Sequence, residues 1–323
     1  MAPRICVAGV GAVGGLIAAR LAQAGHRVCL IARGARLRQV QDAGLRVAAD
    51  GVASAGLRLE ASDRPVFGVQ DFVFVAVKAQ ALPTLVPHLM PMIGPDTCVI
   101  PVVNGIPWWY FLGVEAVPAR AVVAVDPGGA LLRLLPQHQI AGCVAFLTSA
   151  LGADGVVVAS GAPRLRIGEI DGVARPRTGD LAGLLSAAGV HTSAVANIRA
   201  VVWTKLALNL ATNPLSVVSG AGVQEMFTDP NLLPVATAVM AEARGVAARY
   251  GEEFVMSLDQ MLEAGRSAGP FATSMLQDFT AGRPLELGAI GHSALELAAE
   301  KGLDMPTVRC LVMLAAHRAG SRM

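Results

Sequence analysis

Within its first 33 residues the chain reads strand, glycine turn, helix, strand, and that order leaves the two strands one way to pair. Residues 4–10, RICVAGV, form a short β-branched run that closes on glycine. The stretch AVGGLIAARLAQAG that follows has helical composition and stops at Gly25, a natural residue for the position just past a helix end. HRVCLIAR then reads as a second buried strand. Two strands joined through a helix must run parallel, because only a crossover of this length returns the chain to the same end of a sheet.

The alternation continues at residues 71–78, DFVFVAVK, and 98–105, CVIPVVNG. Residues 119–170 carry short β-like runs (AVVAVDP, GCVAFL, GVVVAS, RLRIGE) separated by glycines, and are expected to extend or flank the same sheet. Beyond Thr178 the pattern turns helical, with helices expected over 179–188, 197–212, 231–250, 254–265, 284–302 and 306–319. The fold class read from this order is α/β: an N-terminal Rossmann-type doubly wound sheet over residues 1–190, then an all-α domain over 191–323.

Composition narrows the function classes. With 54% hydrophobic and 15% charged residues, the chain is too apolar to be disordered and has material for a large core. A net charge of +2 gives no basis for binding nucleic acid or an anionic membrane. The uncharged segment from Leu206 to Gln224 contains Asn209, Asn213, Pro214 and two glycines, a poor composition for a spanning helix. The N-terminal run superficially resembles a signal peptide, but its G-x-G spacing serves a nucleotide-binding turn better. Five scattered cysteines without C-x-x-C or metal spacing point to a reducing, cytoplasmic setting and to no metal site. The apolar bias fits a homodimer interface or simply a large core.

GVGAVGG matches G-x-G-x-x-G at Gly9, Gly11 and Gly14. In a chain with 35 glycines the motif means little alone, but here a strand precedes it and a helix follows. Gly9 serves the tight turn, Gly11 the close approach of a pyrophosphate, and Gly14 the packing of helix on strand. After the second strand an NAD-selective site places a carboxylate for the ribose hydroxyls. This chain has IARGARLR, with Arg33, Arg36 and Arg38 and no acid. A guanidinium grips a 2′-phosphate that a carboxylate would repel, so the cofactor expected is NADP(H), held by Arg33. Arg36 or Arg38 is expected only to solvate the following helix. Lys78 and Asn104 close the next two strands, where open α/β sheets bind their ligands; a strand-end lysine reaching solvent is the plainer alternative.

NIRAVVWTKLALNLATNPLS, residues 197–216, is an apolar helix that carries Lys205, Asn209 and Asn213 at i, i+4 and i+8, on one face. The row is either a solvated stripe, with Lys205 snorkelling, or the substrate side of a cleft. Apolar surroundings would depress Lys205 from a pKa of ~10.4 towards neutrality, which suits proton donation to an alkoxide formed by hydride delivery.

Together these segments resemble the ketopantoate reductases (2-dehydropantoate 2-reductases). The likeness spans nearly the whole chain: GVGAVGG, VKAQ and NG after later strands, NIRAVVWTKLALNLATNPLS, and SMLQDFTAGRPLE at 274–286. It implies NADPH-dependent reduction of a 2-oxo acid to its 2-hydroxy acid, in a cleft between a Rossmann domain and a helical domain. By the same resemblance Lys205 matches the catalytic lysine and Glu286 its partner carboxylate. Asn209, Asn213 and Ser274 match substrate-binding residues, and Asn104 the asparagine near nicotinamide and substrate. Arg33 and Lys78 match NADPH-associated positions.

Two departures bear on the substrate. The family's His-Asn-Gly-x-Gly loop reads Val103-Asn104-Gly105-Ile106-Pro107 here and runs into Trp108-Trp109-Tyr110-Phe111. Those aromatics could line another acyl pocket, cover the nicotinamide, or pack against the helical domain, and packing is the expectation, since aromatics bury large area wherever they fall. The family's Glu-Ile-Asp reads Glu286-Leu287-Gly288. The alternatives to ketopantoate reduction are reduction of another branched or aromatic 2-oxo acid, or a non-catalytic NADP(H)-binding sensor.

Overall fold

A computed structural model describes residues 2–49, 52–114 and 118–321. Its packing divides into two compact units: Met1–Val103, Phe111–Arg120 and Ala130–Ile198 form the first, and Asn104–Tyr110, Ala121–Gly129 and Arg199–Met323 the second.

The first unit opens with β1 (Ile5–Ala8), α1 (Ala12–Gln23), β2 (Val28–Ile31) and α2 (Gly34–Ala43), then β3 (Arg46–Ala49), β4 (Val52–Ala53), β5 (Glu60–Ser62) and β6 (Phe72–Val75). α3 (Leu82–Leu89) and β7 (Cys98–Pro101) complete its first half. Strands of this half form a five-stranded sheet in the order β5-β2-β1-β6-β7, every pairing parallel. β1 and β2 are buried at every position, as the continuous apolar runs require of strands covered on both faces. The chain leaves β1 for β2 on one side and returns at β6 on the other, so the order reverses beside β1.

The second half contributes α4 (Ala130–Leu134), β8 (Ala141–Leu151), β9 (Val156–Glu169), α5 (Pro176–Ala187) and β10 (His191–Ala194). Instead of extending the first sheet, these strands build their own: β9 pairs in parallel with β10 and β3, antiparallel with β8, while β3 pairs antiparallel with β4. Among the described residues, the isolated bridges Val99–Ile140 and Val102–Cys143 join the start of β8 to the end of β7. GVVVAS and RLRIGE, read as separate runs, are one strand. At its end buried Glu169 accepts hydrogen bonds from Arg175, Arg177 and Thr178, an arrangement that compensates the desolvation of its carboxylate.

AVVAVDP forms turns rather than a strand, and belongs to the second unit. The N–H groups of Val123 and Ala124, which a strand would give to a neighbouring strand, go to the Glu296 carboxylate at 2.8 and 2.9 Å.

The second unit is helical: α6 (Ile198–Ser219), α7 (Val223–Thr228), α8 (Leu233–Arg249), α9 (Leu258–Arg266), α10 (Ser274–Thr280), α11 (Ser293–Glu300) and α12 (Pro306–Gly320). α6 runs through Pro214 to Ser219, about two turns beyond the expected end, although proline leaves the Leu210 carbonyl without its helical donor. α9 starts at a capping box, Ser257 with Gln260, later than hydropathy suggests. The helix expected over 284–302 is broken: Gly288–His292 is a π-helical turn ahead of α11. No helix among the described residues is long and apolar enough to cross a membrane.

The aromatic stretch is buried. Trp108, Trp109, Tyr110 and Phe111 are each at most 2% exposed. Within the second unit, Trp203 donates its indole N–H to the Tyr110 hydroxyl at 2.7 Å and stacks on Tyr250. Tyr110 meets both rings edge-on. For Tyr110 this is the packing role expected of the segment; Phe111 belongs to the first unit.

Candidate active site

In the first unit the glycine turn sits where the strand order reverses. Gly9 has φ +97°, and a Cβ there would lie 2.5 Å from Val77 Cγ1 and 2.6 Å from the Ala76 carbonyl oxygen. A Cβ on Gly14 would come within 2.0 Å of the Gly9 carbonyl oxygen. Strand, turn and helix are thus closed on one another at the two outer glycines. Gly11 differs: a Cβ there would meet nothing within 4 Å, so the space beside its backbone is open. It caps the N-terminus of α1, whose first turn has no acidic residue and whose dipole favours anions. A turn jammed on one side and open on the other fits the pyrophosphate of a dinucleotide.

Arg33 is exposed at the cap position of α2, in extended backbone. Arg38 is exposed as well. Arg36 does not solvate the helix: its guanidinium is half-buried, donating from Nε to the Val10 carbonyl at 2.6 Å and from Nη1 to the Gly155 carbonyl at 2.7 Å. No periodicity marks this residue in the sequence, because its partners lie 26 and 119 positions away. Lys78 is partly buried and caps the short turn after β6; Ala81 donates its N–H to the Lys78 carbonyl.

In the second unit α6 presents Lys205, Asn209 and Asn213. Asn209 and Asn213 are buried. Lys205 keeps some accessible surface along its length, yet burial of its ammonium lowers its pKa from the ordinary value to about 8. The cause is desolvation, which disfavours the charged form.

Asn104 joins this row through Asn209, whose Nδ2 donates to Asn104 Oδ1 at 3.4 Å. The loop that carries it is fixed on the π-helical turn. Ile106 donates its N–H to the Ala289 carbonyl at 2.9 Å. Gly105 lies so close that a Cβ would be 2.0 Å from the same oxygen. Glu286 is partly buried just before that turn, its carbonyl accepting from Ile290 N–H. π-turns recur at functional sites, and this one is flanked by Glu286 and by the Asn104 loop.

Asn213 is engaged differently. Its Oδ1 accepts from Met275 N–H at 3.2 Å and from Ser274 Oγ at 3.4 Å, at the first turn of α10. Ser216 and Thr273 hydrogen-bond at 2.6 Å beside them. The structure therefore brings Asn104 to Asn209 and Ser274 to Asn213, all in the second unit with Lys205 and Glu286. Gly9, Gly11, Gly14, Arg33 and Lys78 belong to the first.

The thiols offer no nucleophile at either place. Cys6, Cys29, Cys98 and Cys143 are buried and Cys310 is exposed, none in a disulfide. Burial pushes Cys98 and Cys143 up to about 12. Among the described residues no group of His, Cys, Asp or Glu is arranged to hold a metal ion.

Residues 5–172 match the family model "Ketopantoate reductase PanE/ApbA", and residues 197–319 match "Ketopantoate reductase PanE/ApbA C terminal". The chain belongs to the PanE/ApbA ketopantoate reductase family. It is 32% identical over 321 residues to the 2-dehydropantoate 2-reductase of Mesorhizobium japonicum, covering 99% of this chain and 98% of that one. A crystal structure from Ralstonia solanacearum MolK2, named a candidate ketopantoate reductase, is 37% identical with a TM-score of 0.93 and covers 100% of this chain and 99% of that chain. D-mandelate dehydrogenase, solved with NADH and anilino(oxo)acetate, shares the fold at 21% identity and a TM-score of 0.86, with 98% of each chain covered. Membership makes the chain an NAD(P)-dependent 2-oxo acid reductase, with a parallel α/β domain and a helical domain formed by α6–α12.

Proposed function

We propose that this member of the family reduces 2-dehydropantoate to pantoate with NADPH, in the cytoplasm, where its five unpaired thiols stay reduced. The observation that carries the reading is Lys205: a lysine with pKa about 8, on the same face of α6 as an asparagine bonded to Asn104. The bound nicotinamide supplies a hydride to the C2 carbonyl carbon. Lys205 donates its proton to the oxygen as alkoxide character develops there, and a pKa near the working pH suits the transfer. Asn104 and Asn209 bind hydroxyl or carboxylate oxygens without adding charge. Glu286 orients the Lys205 ammonium or holds a substrate hydroxyl. Asn213 accepts from Met275 N–H at the start of α10, and the Ser274 hydroxyl turns its one hydrogen from Asn213 to the substrate carboxylate. Arg33 and Lys78 hold the cofactor, with Arg33 on its 2′-phosphate.

The second reading, another branched or aromatic 2-oxo acid, draws on Val103 in place of the family's histidine and on the D-mandelate dehydrogenase that shares the fold. The burial of Trp108 to Phe111 weighs against an aromatic pocket built from those rings. A sensor without turnover would have no use for a lysine tuned to about 8. The test follows NADPH and NADH oxidation by absorbance with 2-dehydropantoate beside a panel of branched and aromatic 2-oxo acids. Turnover best with 2-dehydropantoate and NADPH is expected. Faster turnover of an aromatic acid would replace the substrate, and oxidation with no acid in the panel would remove the enzyme reading.

A further inference from the structure

We propose that Arg36 is a positioning residue for the phosphate-binding turn, setting the direction of the Gly11 backbone N–H for either dinucleotide. The inference rests on the dinucleotide reading of the first unit.

The geometry is specific. Arg36 Nε donates to the Val10 carbonyl at 2.6 Å, in the middle of Gly9-Val10-Gly11, and Nη1 donates to the Gly155 carbonyl at 2.7 Å, in the turn between β8 and β9. The third nitrogen, Nη2, is buried without a hydrogen-bond partner and lies 3.6 Å from the position of a Cβ on Gly15. One fork thus staples α2 to the glycine turn and to the second sheet.

A trans peptide is planar, with its C=O and the next N–H pointing opposite ways, and the described chain has no cis bonds. Holding the Val10 oxygen towards Arg36 therefore turns the Gly11 N–H to the other face. Of Gly9, Gly11 and Gly14, Gly11 is also the one whose neighbouring space is open. The guanidinium polarises the same peptide from behind, which strengthens the N–H as a donor to an anion. Arg36 acts here through the Val10–Gly11 peptide, so its effect falls on the pyrophosphate that NADPH and NADH share. The 2′-phosphate is left to Arg33.

The experiment titrates NADPH and NADH calorimetrically into wild type, Arg36→Met, Arg36→Lys and Arg33→Ala, with thermal melts of each protein without cofactor. Loss of a hydrogen bond from a charged donor predicts about tenfold weaker binding of both dinucleotides in Arg36→Met, with the NADPH/NADH ratio unchanged. Arg36→Lys keeps the charge and loses the fork, and is expected to fall between; it gives the same reading if Arg36→Met does not fold. Arg33→Ala is expected to lower the ratio instead. Loss confined to NADPH in the Arg36 variants, or a lowered Tm with unchanged affinity for both, would overturn the proposal. Wild type that binds neither dinucleotide would sink the reading beneath it.

Discussion

Asn209 donates its amide N–H to the Asn104 side-chain oxygen at 3.4 Å, bridging 105 positions of sequence. The contact orients both amides: the Asn104 NH2 and the Asn209 oxygen are the groups left to face other partners. Replacing Asn209 with Asp removes the donor and adds a negative charge where an anionic 2-oxo acid is read to bind. Asn209→Asp is expected to lower kcat/KM by about a hundredfold or more, chiefly through KM, and Asn209→Ala by less. Steady-state kinetics at saturating NADPH decides this, and equal losses in both variants would remove the charge argument.

Lys205 predicts a pH profile. A proton donor must be protonated, so turnover should hold below about pH 8 and fall as pH rises through the folded pKa. Lys205→Ala should lose about 10²–10⁴ in kcat. A kcat profile flat from pH 6 to 10 in wild type would contradict the role.

The same shift has a stability consequence of definite sign. The lysine titrates at about 8 when folded and has an ordinary value of 10.5, so between those values the unfolded chain binds more protons. Folding stability therefore gains with pH across that window from this group, the cost of its buried charge being fully present below pH 8. Denaturant unfolding from pH 7 to 10.5 should show the rise in wild type and lack that component in Lys205→Met.

Gly105 carries φ +87° and has no room for a Cβ beside the Ala289 oxygen. Gly105→Ala should cost about 2 kcal/mol or more and shift Asn104 off Asn209. Urea melts and KM measured together test it: lowered stability with an unchanged KM would separate this glycine from the substrate row.

Tyr110→Phe leaves the buried Trp203 indole N–H without its 2.7 Å acceptor while preserving ring packing. A loss of about 1–3 kcal/mol in chemical denaturation is expected, with kcat and KM for the 2-oxo acid close to wild type. A changed preference among 2-oxo acids would instead give the aromatic segment a place against substrate.

Much of the molecule was legible in the residues. Continuous apolar strands, glycines at fixed offsets and a helical spacing of Lys205, Asn209 and Asn213 are local patterns, and each reports the backbone state or face of its own segment. They suffice for the βαβ opening, the sheet-then-helices order and a polar row on α6. Partners are another matter. Nothing local to AVVAVDP says that its N–H groups will meet Glu296 rather than a strand. Nothing local to Pro214 says that packing will carry α6 past it, and nothing near Arg36 points to a carbonyl in the glycine turn and another beyond β8. Backbone and side-chain polar groups must all be satisfied once buried, but which distant group satisfies them depends on how the elements pack. The sequence by itself determined what each segment could be and which residues could do chemistry; the tertiary structure alone decided that Asn104 meets Asn209, that Asn213 holds Ser274, and that Arg36 grips the turn it was expected to ignore.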